Sequence, residues 1–362
     1  MTRPQAFAAV LLAVVLGYLV YNSRDIVTAG RNDFAPFYVA AQLAGKQPLY
    51  QQSAYREFLI EQFSGINETL VYIRPPFHAA LLWPLGLLPY ETAHAVWIFL
   101  RLAAVAGFVL LWRLPSRTAT MWATALCLPI AGTLVSGQDT PFLLLILALA
   151  WRWFESGRYT LAGLALSLCA IKFHLFLTLP LWLLSRTGRP LWKGFAAGAG
   201  MLTLVSFAVG GWSWPVNYLA QLRSPAISPF QAQMPNLRGL FVGLQGAVYL
   251  EAVAAILVGW ACWKAAKAPE PAYGFAAVLL GGLLVSRHAY TSDCVILLPV
   301  FLILRAFDDR RLLRTFSLLM ILPAPLLAPR PGPYLIQVAL VVIFFAIALA
   351  PSISTRPSAA AP

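Results

Sequence analysis

The chain has 362 residues, enough for two or three soluble domains, but 60% of them are apolar and 11% are charged, against roughly 45–50% and 25% in soluble proteins. At 39.6 kDa and a mean hydropathy of +0.74, it lacks the polar surface that a water-soluble fold needs, so its solvent is a bilayer and its class is all-α polytopic membrane protein. The net charge of +13 comes from 26 basic and 13 acidic residues. The basic residues fall in small groups between apolar runs, with no basic face carrying stacking aromatics, which excludes nucleic acid as a partner.

The first apolar run, Ala6 to Tyr21, is followed by Asn22-Ser23-Arg24-Asp25, which offers no small-x-small cleavage site. It is read as an uncleaved first span rather than a signal peptide. Asn22 to Arg74 is the one long polar stretch, with two helical pieces, Phe34–Ala44 and Gln51–Phe63. In the second, Tyr55, Phe58, Leu59 and Phe63 share a face opposite Arg56, Glu57 and Glu61. Both pieces are expected to lie on the membrane surface as amphipathic helices. Pro76–Tyr90, rich in proline, is placed as a re-entrant or surface segment.

Apolar segments then follow with short connections: Ala93–Leu111, Thr118–Val135, Pro141–Trp153, Thr160–Ile171, Leu175–Leu184, Phe195–Gly211, Leu240–Trp260, Ala272–Val285, Tyr290–Leu304, Leu312–Leu326 and Tyr334–Ala350. With the first run they give about twelve spans. Several are shorter than the roughly 20 residues a spanning helix needs; such broken helices are tolerated where they line a protein cavity. Residues 1–350 are read as a single integral-membrane domain and 351–362 as a disordered cytoplasmic tail. With the N-terminus in the cytoplasm, Arg113/Arg117, Arg152/Arg158, Arg186/Arg189/Lys193, Lys264/Lys267 and Arg305/Arg310/Arg311/Arg314 all fall inside. The outer side receives the 22–74 loop, Ser136-Gly137-Gln138-Asp139, Lys172 with His174, the 211–238 loop and Ser286-Arg287-His288. Isolated ionisable groups on that side mark a functional site.

Asp33 precedes a helical run and has a capping reading. Pro36, three residues on, has no N–H to offer, so the catalytic reading is favoured. Asp139 has the same capping reading before a helix with proline in its first turn, and there the cap is favoured. Lys172 is either a snorkelling interfacial lysine or a cation for a phosphate, and both readings stand. Arg287 beside His288 suits phosphate contact, and Arg74 ends the long loop at Pro75-Pro76. His78, His94 and Glu251 are read as structural. Cys127, Cys169, Cys262 and Cys294 each stand alone in apolar segments, as small hydrophobes. Asp308-Asp309, among four arginines, is read as a solvated inner loop. No Walker loop, Gly-x-Gly-x-x-Gly, His-Glu-x-x-His or Asp-x-Asp pair is present; neither a metal nor a cofactor is expected.

The order of these features resembles glycosyltransferase family 87, the polyprenyl-phosphate-mannose-dependent α-1,2-mannosyltransferase-like group of the GT-C superfamily. The matching residues are Asp33-Phe34, Tyr38, Ala40-Ala41, Gly45, Pro48-Leu49-Tyr50 and Tyr72-x-Arg74-Pro75-Pro76-Phe77, then Ser136-Gly137-Gln138, Gly163, Lys172 and Pro180. The likeness runs from Asp33 to Pro299 and is strongest in the first loop. It implies a GT-C-type bundle in the cytoplasmic membrane with an outward-facing site. It implies a general base in the first outer loop, matched by Asp33, and basic residues at the donor phosphate, matched by Lys172, Arg287 and His288. Tyr72, Arg74, Gln138, Asp139 and His174 are supporting candidates. The implied partners are a polyprenyl-phosphate sugar donor, a glycolipid or glycan acceptor and membrane lipids. A lipid or sugar transporter or flippase is the alternative from another class, but no two halves carry matching broken helices. A polyprenyl-phosphate pentose (arabinofuranosyl) transferase would use the same machinery.

Overall fold

The computed structural model describes residues 21–29, 32–46, 49–50, 52–63, 71–186, 189–223 and 230–349, with the single positions 10, 14, 17, 18 and 227. The predicted first span lies largely outside the described residues, and the predicted tail lies wholly outside them. The described residues are helical throughout, with no β-strand among them. Five helices are long and apolar enough to cross a membrane: Tyr90–Leu111, Tyr159–Phe176, Pro190–Gly210, Ala247–Ala266 and Gly332–Leu349. A sixth is added if Arg117–Ala125 and Leu128–Ser136 are counted as one broken span. Other segments predicted as spans form shorter helices, such as Thr140–Glu155 and Leu297–Phe307.

The chain folds as two compact units, the first made of residues 1–111, 130–173 and 189–231. Within it, the Phe34–Leu43 helix is buried almost all round, with Phe34, Ala35, Phe37, Tyr38, Val39, Ala40 and Ala41 at 0–4% exposure. This corrects the surface-helix expectation. Its sequence, FAPFYVAAQL, has no polar face to offer water, and a helix apolar on all sides belongs in a core. It packs on Pro76–Gly86, where Gly86 lets the backbone at Ala41 approach closely. Phe34 also meets the rings of Tyr90, His94 and Trp97 at 5.8, 5.6 and 5.3 Å. The Gln52–Phe63 helix keeps the predicted pattern where described: Tyr55 is buried and Phe58 half-buried, while Arg56, Glu57 and Glu61 are exposed.

The proline-rich 76–90 segment is helical from Pro76 to Gly86, with Leu81 and Trp83 exposed on one side. Pro75 is extended and Pro76 takes the first helical position, where its missing N–H costs nothing. The helix that follows buries Phe77, His78, Ala79, Leu82 and Leu85. Tyr90–Leu111 turns Trp97, Arg101, Ala104 and Phe108 inward at helical spacing, and leaves Phe99, Leu102 and Leu110 exposed as an apolar outer face. Arg101 is fully buried; its Nη1 donates to the carbonyls of Thr133 (2.7 Å) and Leu134 (3.2 Å) in the last turn of the helix ending at Ser136. Tyr159–Ser167 packs on Arg189–Gly210 through glycines on both sides. A Cβ on Gly163 would strike the Leu191 carbonyl, and one on Gly194 the Thr160 carbonyl.

In the second unit, residues 112–129, 174–188 and 232–362, the Pro271–Val285 helix is buried from Ala272 to Leu284. It packs against Ala247–Ala266 and Gly332–Leu349, where Gly281 makes room for the Cys262 thiol. Ala247–Ala266 turns Val248, Tyr249, Val253, Ile256 and Trp260 outward. The Asp308-Asp309 reading is half corrected: Asp309 is exposed, but Asp308 is 3% exposed, paired with Arg310 at 2.6 Å and accepting from the Tyr273 hydroxyl at 3.3 Å. All four cysteines are buried.

Candidate active site

Three stretches of the first unit converge on one polar cluster in otherwise apolar surroundings. The first is Asn32-Asp33. The Asn32 side-chain oxygen accepts from the Phe34 N–H (3.1 Å), so Asn32 provides the helix-end contact expected of Asp33, whose own side chain makes no capping bond. The second is the turn 136–139. Its Ser136 carbonyl accepts from the Asp33 N–H at 2.9 Å, tying the two stretches together. Gly137 is required there twice over: its φ is +76°, and a Cβ would collide with the Asn32 side chain. The Gly137 carbonyl accepts from Trp97 Nε1 at 2.9 Å. The third is the loop end before Pro75. Pro75 and Pro76 have no N–H groups, and tyrosine hydroxyls donate to successive carbonyls: Tyr218 to Ile73 (3.4 Å), Tyr50 to Arg74 (2.9 Å) and Tyr72 to Pro75 (3.3 Å).

Arg74 is thereby fixed with its side chain 2% exposed, and it grips Asp139 by two bonds, Nε to Oδ2 at 2.6 Å and Nη2 to Oδ1 at 3.0 Å. This overturns the capping reading of Asp139, which makes no cap bond and turns inward instead. Lys172 stands at a break in the Leu168–Phe176 3₁₀ segment, where its φ of −125° and ψ of 54° leave the helical region. Its side chain is 4% exposed and reaches the Gln138 side-chain oxygen at 2.9 Å and Asp139 Oδ1 at 3.6 Å. A snorkelling lysine would reach for water; this one is buried. Gln138 joins the groups: its oxygen accepts from Lys172 and from Arg74 Nη2 (3.1 Å), and its Nε2 donates to Asp33 Oδ2 at 2.5 Å. His78, read from sequence as structural, lies behind Asp139, with Nε2 3.5 Å from Oδ2 and Nδ1 3.2 Å from the Tyr72 hydroxyl.

The two carboxylates are driven apart by this setting. Burial pushes the Asp33 carboxyl up, only partly opposed by the Gln138 bond and by Lys172 and Arg74. Burial also pushes Asp139 up, but Arg74 and Lys172 outweigh it and hold this carboxyl well below the usual range. Burial lowers His78 to about 4, against the pull of Asp139, so it is neutral near pH 7. The arrangement holds one locked counter-ion, Asp139, and a second carboxylate, on the half-buried Asp33, whose affinity for a proton is raised.

Beside the cluster is an apolar cavity of about 380 Å³, walled by Pro75, Phe77, Ala170, Phe173, Leu202 and Trp214 among others. Pro75 and Phe173 are the chain neighbours of Arg74 and Lys172. The Trp214 Nε1–H is buried with no hydrogen-bond partner among the described residues. Of the other sequence candidates, His174, Arg287 and His288 belong to the second unit. There the His174 and His288 rings lie 5.9 Å apart, His288 meets Tyr290 at 5.0 Å, and Arg287 is exposed. His94 keeps its structural reading, buried against Phe34.

The sequence model of glycosyltransferase family 87 matches residues 72–289, more than half of the chain. The chain belongs to glycosyltransferase family 87. It is a membrane glycosyltransferase, which acts on a sugar donor and an acceptor. No curated protein and no solved structure matches it significantly. The matched region takes in Arg74, Gln138, Asp139 and Lys172, and begins after Asp33, which joins the site through its own N–H on the Ser136 carbonyl and its Oδ2 on the Gln138 amide.

Proposed function

We propose that this family member moves a sugar, mannose, from a polyprenyl-phosphate donor to a lipid- or glycan-linked acceptor on the outer face of the cytoplasmic membrane. It would do so as a GT-C-type bundle of about twelve spans in which the shorter apolar helices also count. The reaction is one inverting displacement. The acceptor hydroxyl oxygen bonds to the anomeric carbon as the bond from that carbon to the phosphate oxygen breaks. The phosphate leaves with the electron pair, and the hydroxyl proton passes to Asp33.

The observation that carries this reading is a partly exposed carboxylate set beside two buried cations. With Asp33 and Asp139 ionised, Arg74 and Lys172 balance them and His78 is neutral. When Asp33 takes the acceptor proton, the cluster gains one positive charge in the step in which the departing phosphate gains negative charge. Charge placed in advance where it develops is the strongest form of electrostatic catalysis, least screened in a water-poor site. The adjacent apolar cavity suits a substrate carried on a hydrocarbon chain, and the absence of a nucleotide-binding motif suits a donor that is not a nucleotide sugar.

Lys172 is the phosphate ligand in this reading. Lys172→Ala is expected to raise the donor concentration needed for half-maximal rate by about 10- to 100-fold, as for a lost charged hydrogen bond of roughly 1.5–3 kcal/mol. The acceptor dependence should hardly change. Initial rates against donor at saturating acceptor measure this, and a folded variant with wild-type donor dependence overturns the role.

A further inference from the structure

The amide of Gln138 can turn either way in principle, but its surroundings allow one orientation. Two cationic donors, Lys172 Nζ at 2.9 Å and Arg74 Nη2 at 3.1 Å, face one end of it, and a carboxylate oxygen of Asp33 faces the other. A flipped amide would set N–H groups against two cations and its oxygen against an anion, so the cations fix the oxygen and point Nε2 at Asp33. The turn that carries Gln138 is itself held from outside the cluster, by Trp97 on the Gly137 carbonyl and Arg101 on the Thr133 and Leu134 carbonyls.

Among the described contacts, the Gln138 amide engages Asp33 at Oδ2. We infer that Gln138 is a positioning residue for the proposed proton transfer: locked by Lys172 and Arg74, it holds Asp33 by Oδ2 and presents Oδ1 to the acceptor hydroxyl. The inference rests on the reading of Asp33 as general base. It couples the two ends of the site, because the cations at the departing phosphate also fix the aim of the base. The charged groups facing Asp33 are Lys172, Arg74 and Asp139, with neutral His78 behind Asp139. The Gln138 hydrogen bond opposes burial at the Asp33 carboxyl, so its loss leaves burial less opposed and the proton harder to remove.

The test is the pH dependence of kcat/KM for sugar transfer in the full-length protein and in two variants of similar side-chain length. Gln138→Glu keeps an oxygen for Lys172 and Arg74 but removes the N–H and brings a second carboxyl against Asp33. Gln138→Met removes both functions. In each, the acid limb of the profile should move up by about one pH unit or more, most in Gln138→Glu, where two carboxyls share a proton. Activity in Gln138→Met should rise with pH above the shifted limb and level off below wild type, because the carboxylate has also lost its aim. A limb at its wild-type position, with activity lowered evenly at all pH values in either folded variant, overturns the inference and makes Gln138 merely structural. An inactive Asp33→Asn protein together with that result leaves the general-base reading standing and removes only this inference, whereas an active Asp33→Asn protein removes the base reading itself.

Discussion

Replacing Asp33 by Asn should leave a folded protein that still binds donor and has lost turnover by about 10²-fold or more, the scale of a lost general base. The structure makes this substitution clean. Asp33 makes no capping bond, since Asn32 supplies that contact, and its backbone N–H remains on the Ser136 carbonyl whatever the side chain. The contact that the side chain does make, with Gln138 Nε2, is one that an amide oxygen can also accept. The amide keeps the shape but cannot accept the proton. Single-turnover rates with saturating donor measure the loss, and the wild-type pH profile adds a second check. Burial raises the Asp33 carboxyl and a base works only when ionised, so activity should fall as pH drops through a midpoint above the ordinary carboxylate value. Near-normal turnover in Asp33→Asn would pass the role to another carboxylate, with Glu57, Glu61, Glu68 and Asp139 next to be tested. Of these, Glu57 and Glu61 are exposed and Asp139 is locked to Arg74.

Arg74→Met should be the most destabilising change in the cluster. It strips the bidentate partner from a carboxylate that is 1% exposed, leaving Lys172 at 3.6 Å and His78 at 3.5 Å as the nearest compensation. Breaking a buried pair by removing one member costs about 3–5 kcal/mol, mostly the penalty of the stranded charge. Arg74→Met/Asp139→Asn removes that charge as well, so the double variant should be more stable than the sum of the two single changes predicts. Arg74→Lys should recover little, because an ammonium cannot reproduce the fork. Thermal unfolding in detergent reads wild type, the Arg74→Met, Asp139→Asn and Arg74→Lys variants, and the double variant. The acid side gives the sign. The Asp139 carboxyl is depressed in the folded protein, so its stabilisation is present above the ordinary carboxylate value and is lost as pH falls through the folded one. Wild type should lose stability on acidification, and Arg74→Met should show a flatter acid side. A wild-type unfolding midpoint in Arg74→Met would show that the pair contributes nothing.

Composition alone was enough to read a helical membrane protein, because 60% apolar residues leave no other solvent. The members of the site are also legible, as polar residues on the side that receives the long first loop: Asp33 and Arg74 within it, Gln138 and Asp139 in a turn, and Lys172 at the end of an apolar run. What sequence could not show was their pairing. Asp139 sits before a proline-started helix, the pattern of a cap, and only the fold brings Arg74, 65 positions away, against it. Arg101, near the middle of the predicted Ala93–Leu111 span, carries a signal in sequence, since an arginine inside a span marks a buried contact, but its partners are carbonyls more than 30 positions on, which local sequence does not show. His78 was passed over for a similar reason, since neutral burial and contact with a carboxylate leave no local signature. The Phe34–Leu43 helix was misplaced because its position on an otherwise polar loop outweighed a sequence with one polar side chain, Gln42, near its end.

Purified protein in detergent or liposomes, offered a panel of radiolabelled polyprenyl-phosphate sugars with an acceptor lipid extract and no nucleotide sugar, asks directly what the cluster does. Transfer of label from a polyprenyl-phosphate donor, strongest with mannose and abolished in Asp33→Asn, is the predicted result. Transfer only when a nucleotide sugar is supplied, or equal transfer by wild type and Asp33→Asn, would contradict it.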